Sequence, residues 1–295
     1  MIAYAGSGPY CYSSCLVMMF GREAPGVGVV ETATGSPFGV QLAGPELPFF
    51  DPPGWDPGIG VDDALAAFGW SAETTSGGSA DAALARLAER VAVAPVMVGP
   101  VEMGHLRYQP SMTGPIGADH YVVVLGIDGD HVHLHDPQGY PHSRLPVADF
   151  VAAWRADAVD YGEPFTLRAD FRRTARVEPE AAIRASLDRA RHWLREEAGS
   201  GAAALALAEQ VESGCGDDLR GHLVHFAVRV GARRLADAAT CLQWIGLTGA
   251  ATVASEQARL VGSLQHPLVV GEDREAAGIL RELAPTYDAL RRQLA

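Results

Sequence analysis

The chain has 295 residues, 48% of them apolar; its 23 basic residues are all arginine and stand against 36 acidic ones, for a net charge of −13. That length holds one large domain or two ordinary ones, with ample apolar content for a core. The acidic balance argues against nucleic acid as a partner, no apolar run reaches the roughly 18 residues of a membrane span, and the first residues lack the basic start of a secretory signal. Four cysteines are present: Cys11, Cys15, Cys215 and Cys241. Cys11 and Cys15 fall one helical turn apart, poor geometry for a disulfide, so free thiols in a reducing cytoplasm are expected. The charge is uneven. Residues 1–150 carry 5 Arg against 16 Asp and Glu, net −11, and residues 151–295 the remaining −2. An acidic front half suits a cationic, amine-bearing small molecule, or serves solubility alone.

In chain order, a Gly-Ser-Gly-Pro loop at residues 6–9 leads into Cys11 and a short apolar helix that Gly21 closes. Residues 22–62 are rich in Gly and Pro and too long for an ordinary connection, which suggests a structured loop lining a pocket. Phe38, Phe49, Phe50 and Trp55 are its apolar wall or, the simpler expectation, its anchors to the core. Short helices are expected over Val61–Phe68 and, capped by Ser79, over Ser79–Arg90. A strand follows over Val91–Val98, then a loop at 101–119 with His105, Arg107 and Tyr108 as polar members. His120 opens the apolar run Tyr121–Ile127, Asp128-Gly129-Asp130 signals a hairpin turn, and His131–His135 returns to Asp136-Pro137. A last short strand begins at Leu145, before a helix over Val147–Trp154. Residues 155–178 read as a boundary, with an arginine-dense link at 167–176. Beyond it the pattern is wholly helical, with about five or six helices between Pro179 and Leu294.

Cys11 falls at a helix N-terminus, where unpaired N–H groups and the helix dipole favour a thiolate. Cys15 sits a turn further in, where a cysteine packs as core. If the strands around Asp128-Gly129-Asp130 pair, His120 and Asp136 meet at the open end of the hairpin. Cysteine, histidine and aspartate are then the parts of a thiol triad: nucleophile, base and orienting carboxylate. His131, His133 and His135 share the other strand face from Asp136. Three histidines on one face could hold zinc, but an outer-face position is the simpler expectation, and no metal or cofactor is invoked.

These residues carry a family resemblance. Cys11-x3-Cys15-Leu16-x-Met18 resembles the stretch around the catalytic cysteine in papain-like peptidase domains that cut double-glycine leaders from bacteriocins. His120-Tyr121-Val122-Val123-Val124 and His135-Asp136-Pro137 are similar to the second motif of those domains, as is the trailing Arg144-Leu145-Pro146 to Phe150-x3-Trp154. The likeness covers about residues 1–160. That family has a glutamine six residues before the cysteine, as an oxyanion-hole donor, and a glycine after it. Here those positions are Ala5 and Tyr12. The oxyanion hole would therefore use the Cys11 N–H with Ser7, Tyr4 or Tyr12. In overall layout the chain is similar to the butirosin biosynthesis protein H family, which pairs a papain-like part with an all-helical part. The Thr34-Gly35-Ser36-Pro37-Phe38-Gly39 stretch is part of that likeness.

What the resemblance implies is an α+β, papain-like cysteine peptidase fold over residues 1–165, followed by an all-α domain over 175–295. Cys11, His120 and Asp136 would be catalytic; Phe38, Trp55 and Tyr108 are pocket candidates. The expected activity is cysteine-dependent acyl transfer, from an acyl carrier protein or other thioester donor to an amine-bearing small molecule, in the cytoplasm and without a cofactor. A cysteine hydrolase (peptidase or thioesterase) and a non-catalytic binding protein are the competing readings.

Overall fold

The computed structural model describes residues 10–44, 47–195 and 199–295. The architecture is α+β: a six-stranded antiparallel sheet with helices in the N-terminal part, then an all-helical C-terminal part. The elements begin with α1 (Cys11–Phe20), α2 (Val27–Ala33), β1 (Gln41–Ala43), β2 (Leu47–Phe49), α3 (Pro57–Ala67), β3 (Trp70–Thr75) and α4 (Ala80–Val91). There follow β4 (Val96–Glu102), β5 (Asp119–Asp128), β6 (His131–Asp136), β7 (Tyr140–Pro146), α5 (Val147–Arg155) and β8 (Leu167–Arg173). The helices α6 (Pro179–Trp193), α7 (Ser200–Gly214), α8 (Asp217–His222), α9 (Val228–Trp244), α10 (Thr248–Ser263), α11 (Gln265–Val270) and α12 (Asp273–Leu294) complete the chain. These residues cluster into two compact units. One is Tyr10–Val27 with Gly69–Arg176; the other is Gly28–Phe68 with Val177–Ala295.

In the first unit the strands lie in the order β3-β8-β4-β5-β6-β7, every pair antiparallel. The inward face of the sheet carries Val96, Val98, Val122, Val124, Val132, Leu134 and Leu145, packed against Ala83 and Leu87 of α4 and Phe150, Ala153 and Trp154 of α5. Each fully buried Val, Leu or Phe among them contributes about 1.5–3 kcal/mol. Ser79 starts α4 as expected, its hydroxyl accepting the Ala82 N–H at 3.2 Å. α1 carries no charged residue and packs against β4 and β5. It ends at Gly21, whose φ of +75° is a conformation that favours glycine.

The arginine-dense link is the main departure from the sequence reading. It is strand β8, inserted between β3 and β4, with Leu167, Arg168 and Ala169 buried. Its charged residues pair locally: Asp170 with Arg90 at 2.6 Å and Arg173 with Glu23. Alternation is hard to read when charged side chains are satisfied by partners on other elements, here α4 and the residues just after α1. The helix expected at Val61 begins earlier, at Pro57, because Asp56 caps it by accepting the Ile59 N–H at 3.0 Å. The strand expected from Val91 starts at Val96, since Val91 completes α4.

Residues 28–68, grouped with the front half by sequence order, pack with the C-terminal helices. Phe38 and Trp55, expected to line a substrate pocket, are instead buried core side chains of that unit. The Trp55 indole donates to the Thr34 carbonyl at 2.9 Å, and the Arg234 guanidinium lies 5.7 Å from its ring centre. Phe50 closes on α9 at Gly231, where an added Cβ would come within 2.5 Å of the Phe50 Cβ.

The centre of this unit is ionic. Arg234 bonds Glu31 at 2.7 Å and Asp51 at 2.9 Å, and all three side chains are buried. Ser36 adds a hydrogen bond to Glu31 at 2.8 Å. Such a group is costly to desolvate and far costlier to break, because removing one member strands the others. Replacing Arg234 with methionine fills the volume but leaves two buried carboxylates without their cation. The expected loss is about 3–5 kcal/mol of unfolding free energy, read from urea denaturation; an unchanged midpoint would contradict this account of the core.

Candidate active site

The candidate residues of the first unit converge because three local structures end at one place. Cys11 is the first residue of α1, after Tyr10 at the N-cap. The Ser14 N–H reaches back to the Tyr10 carbonyl at 2.9 Å, so the helix is formed from its first turn. Backbone N–H groups at such an end have no partner within the helix, and the dipole there favours negative charge.

His120 and Asp136 come from neighbouring strands. The β5–β6 turn is two residues long, Gly129-Asp130, between the paired Asp128 and His131. Gly129 takes φ +59°, as the first residue of a tight hairpin turn requires. Val123 faces His135 and Val124 faces Leu134. Continued in that register, Asp136 lies diagonally from His120 on the same face, within reach of a long side chain. Burial along β6 alternates strictly: Val132, Leu134 and Asp136 are buried, while His131, His133 and His135 are partly exposed on the other face.

The result is a hydrogen bond of 2.8 Å between His120 Nε2 and Asp136 Oδ1. Cys11, at the start of α1, is the second group that acts on the His120 ring. With Nε2 engaged by the carboxylate, Nδ1 is the ring nitrogen left for a second partner. Burial alone would lower the basicity of His120. Its bond to Asp136 and the action of Cys11, with the charges of both, outweigh that and push it up to about 10. Burial would likewise raise Asp136. The bond and charge of His120, the Gln138 N–H and the Tyr108 hydroxyl together hold it below the usual carboxylate range. The neighbours of His120 therefore favour its charged form.

The other thiols are of a different kind. Burial, then the charges of Cys11 and Asp136, push Cys15 well above the ordinary thiol range. Burial also raises Cys215, and takes Cys241 up to about 11. All three are buried, whereas Cys11 is partly exposed. Burial thus disfavours the charged form of Cys15, Cys215 and Cys241.

Tyr108, expected as a pocket residue, donates its hydroxyl to Asp136 Oδ2 at 2.9 Å. Gln109, which sequence reasoning missed, donates to the same oxygen at 2.7 Å. Their loop is tied down by buried Glu102, whose carboxylate accepts the N–H groups of Gly104, Ile116 and Gly117, each at 3.0 Å. A glutamate heading a Gly- and Pro-rich loop was the available signal. Tyr12 is buried, its ring edge-on to Tyr121 with centres 6.0 Å apart. Tyr4 and Ser7, the other oxyanion-hole candidates, lie outside the described residues. Among the described residues no three His, Cys, Asp or Glu side chains converge as metal ligands. His131 pairs with Asp130 at 2.6 Å, and the His135 and His142 rings lie edge to face at 4.3 Å. No described helix is long and apolar enough to cross a membrane.

Comparison with known proteins finds similarity without an assigned activity. Residues 195–295 match the YobF C-terminal domain family. The chain is 32% identical over 164 residues to YobF, an uncharacterized protein of Bacillus subtilis (strain 168), an alignment covering 55% of this chain and 53% of the relative. The chain thus spans about half the length of the curated relative it matches.

The raised basicity of His120 gives a signed expectation. An elevated histidine stabilises the fold fully below its unfolded value of about 6.5 and loses that contribution as pH rises through about 10. Asp136 does the reverse, stabilising above the unfolded carboxylate value and losing the contribution as pH falls through its depressed one. The His120 imidazole signals in an NMR titration should move near pH 10 in the parent. In a Cys11→Ala, Asp136→Asn variant they should move at or below about 6.5. Titration of the parent near 6.5 would contradict the charged pair.

Proposed function

We propose that the chain is a cysteine-dependent acyltransferase, moving an acyl or aminoacyl group from a carrier-protein thioester, or another thioester, to an amine acceptor. The observation that carries this reading is the placement of His120 between the Asp136 carboxylate and the Cys11 thiol. A thiol at a helix start, a base on the next element and a buried carboxylate behind it are the requirements of covalent catalysis.

The chemistry follows from the charged pair. The Cys11 thiolate attacks the thioester carbonyl carbon, and the backbone N–H at the start of α1 faces the developing oxyanion. The bond to the donor sulfur breaks, and the donor leaves as a thiol with the proton of the His120 imidazolium. The acyl group is then on Cys11 as a thioester, so this exchange is close to isoenergetic. His120, now neutral, takes a proton from the incoming amine as it attacks the acyl-Cys11 carbonyl. Collapse breaks the bond to Cys11, releases the amide and restores thiolate and imidazolium. Amide formation from a thioester runs downhill. Asp136 keeps its negative charge throughout and holds the imidazole in orientation.

Thioester donor and amine acceptor rest on the likeness in layout to the butirosin biosynthesis protein H family and on the net −11 of residues 1–150, which would attract a polycationic acceptor. The Cys11-x3-Cys15-Leu16-x-Met18 stretch favours a second reading, a cysteine hydrolase with water in place of the amine. Intact mass after incubation with a panel of acyl and aminoacyl thioesters separates the readings. The parent should gain one acyl mass that Cys11→Ala does not, and added amine should discharge it as an amide. Discharge at the same rate with or without amine would assign the hydrolase, and no adduct across the panel would contradict both enzymes in favour of a non-catalytic binding protein.

A further inference from the structure

Asp136 is enclosed by four hydrogen-bond donors, more than an orienting carboxylate needs to hold one histidine. Its Oδ1 accepts from His120 Nε2 at 2.8 Å and from the Gln138 N–H at 2.7 Å. Its Oδ2 accepts from the Tyr108 hydroxyl at 2.9 Å and the Gln109 amide at 2.7 Å. A carboxylate offers about four acceptor positions, two on each oxygen. All four are used here, and the Asp136 side chain has no exposed surface.

We propose that Tyr108 and Gln109 are positioning residues for the candidate nucleophile: they hold Asp136 Oδ2 so that Oδ1 is fixed on His120 Nε2 and the ring on Cys11. The inference rests on the reading of Cys11, His120 and Asp136 as a working triad, but not on the identity of the acyl donor or acceptor. Neither residue touches the reacting atoms; both act through the carboxylate. Only the amide nitrogen of Gln109 can face Asp136, because an ionised carboxylate solely accepts. Burial and the Asp136 charge push the Tyr108 phenol far above its ordinary range, so it remains a hydroxyl donor throughout. The loop that carries both residues is held by Glu102, so their donors arrive on a fixed backbone.

The titratable groups that face this carboxylate are His120 on β5, Tyr108 in the loop, Tyr140 opposite it on β7, and Cys15 on α1, with Cys11 beyond His120. Of these, only His120 brings positive charge. Tyr108 and Gln109 both favour the ionised form of Asp136, so losing either lets it take a proton at higher pH. A neutral Asp136 no longer fixes the His120 ring on Cys11, so the alkylation rate falls away at a higher pH.

The test is the rate of Cys11 alkylation by iodoacetamide against pH, followed by mass spectrometry, in the parent, Tyr108→Phe, Gln109→Met and the double variant. Urea denaturation reports folding separately. Tyr108→Phe removes one oxygen and keeps the ring against Tyr140 (centres 5.7 Å apart), so it carries the test if Gln109→Met does not fold. The acid limb of the profile should move up by about one pH unit in Tyr108→Phe, a tenfold change in proton affinity, and further in the double variant. Folded variants that keep the parent profile, even with a lowered urea midpoint, would reduce both residues to structural packing and overturn the inference. A parent Cys11 that reacts no faster than the thiols of the urea-unfolded chain would instead overturn the triad reading beneath it.

Discussion

A buried carboxylate is tolerable only when every lone pair is used, and Asp136 meets that condition. Much of the first unit can be read as the means to that end. The two-residue turn at Gly129-Asp130 starts the β5–β6 hairpin, and the bulge between Val124 and Gly126 shifts its register by one residue, which puts Asp136 diagonal to His120 on the same face. Glu102 fixes the loop that brings two more donors. β7 closes the far side, and α1 brings the sulfur to the imidazole. The charge so enclosed raises the basicity of His120, whose ring is also acted on by Cys11, the one partly exposed cysteine of the four.

The second unit meets the same physical condition by other means. Glu31 and Asp51 are buried carboxylates, and the Arg234 guanidinium supplies charge and donors to both. Nothing about this cluster requires a reactive group. It joins residues near positions 31 and 51 to α9, far along the chain, in a geometry that a greasy contact would leave free to slide. In the first unit the buried charge is balanced by a histidine that can exchange its proton, and in the second by an arginine that cannot. That difference separates a site suited to chemistry from a structural fastening.

The parts of the fold legible in the sequence are those with local signals. The apolar run from Tyr121, the Asp-Gly turn and the alternating His131–Asp136 stretch gave the hairpin, and with it the neighbouring positions of His120 and Asp136. Ser79 and Gly21 marked helix ends. What was hidden depends on partners distant in the chain. β8 looked like a charged linker because its charged residues find their partners, Arg90 on α4 for Asp170 and Glu23 after α1 for Arg173, only once the unit is assembled. Phe38 and Trp55 looked like a pocket wall because the helices that bury them lie more than a hundred residues away in sequence. Gln109 carried no pattern of its own, and its role exists only where its loop meets the end of β6.

The central claim is that Cys11 is a nucleophile made reactive by His120. It is tested most directly by the iodoacetamide alkylation rate of the folded protein at pH 7, beside His120→Ala and beside the unfolded chain. The account predicts that Cys11 in the parent reacts at least about tenfold faster than an unfolded thiol, as a thiolate held by a neighbouring cation should. It also predicts that His120→Ala abolishes the advantage. A parent rate equal to that of the unfolded chain, or one that His120→Ala leaves unchanged, would contradict it.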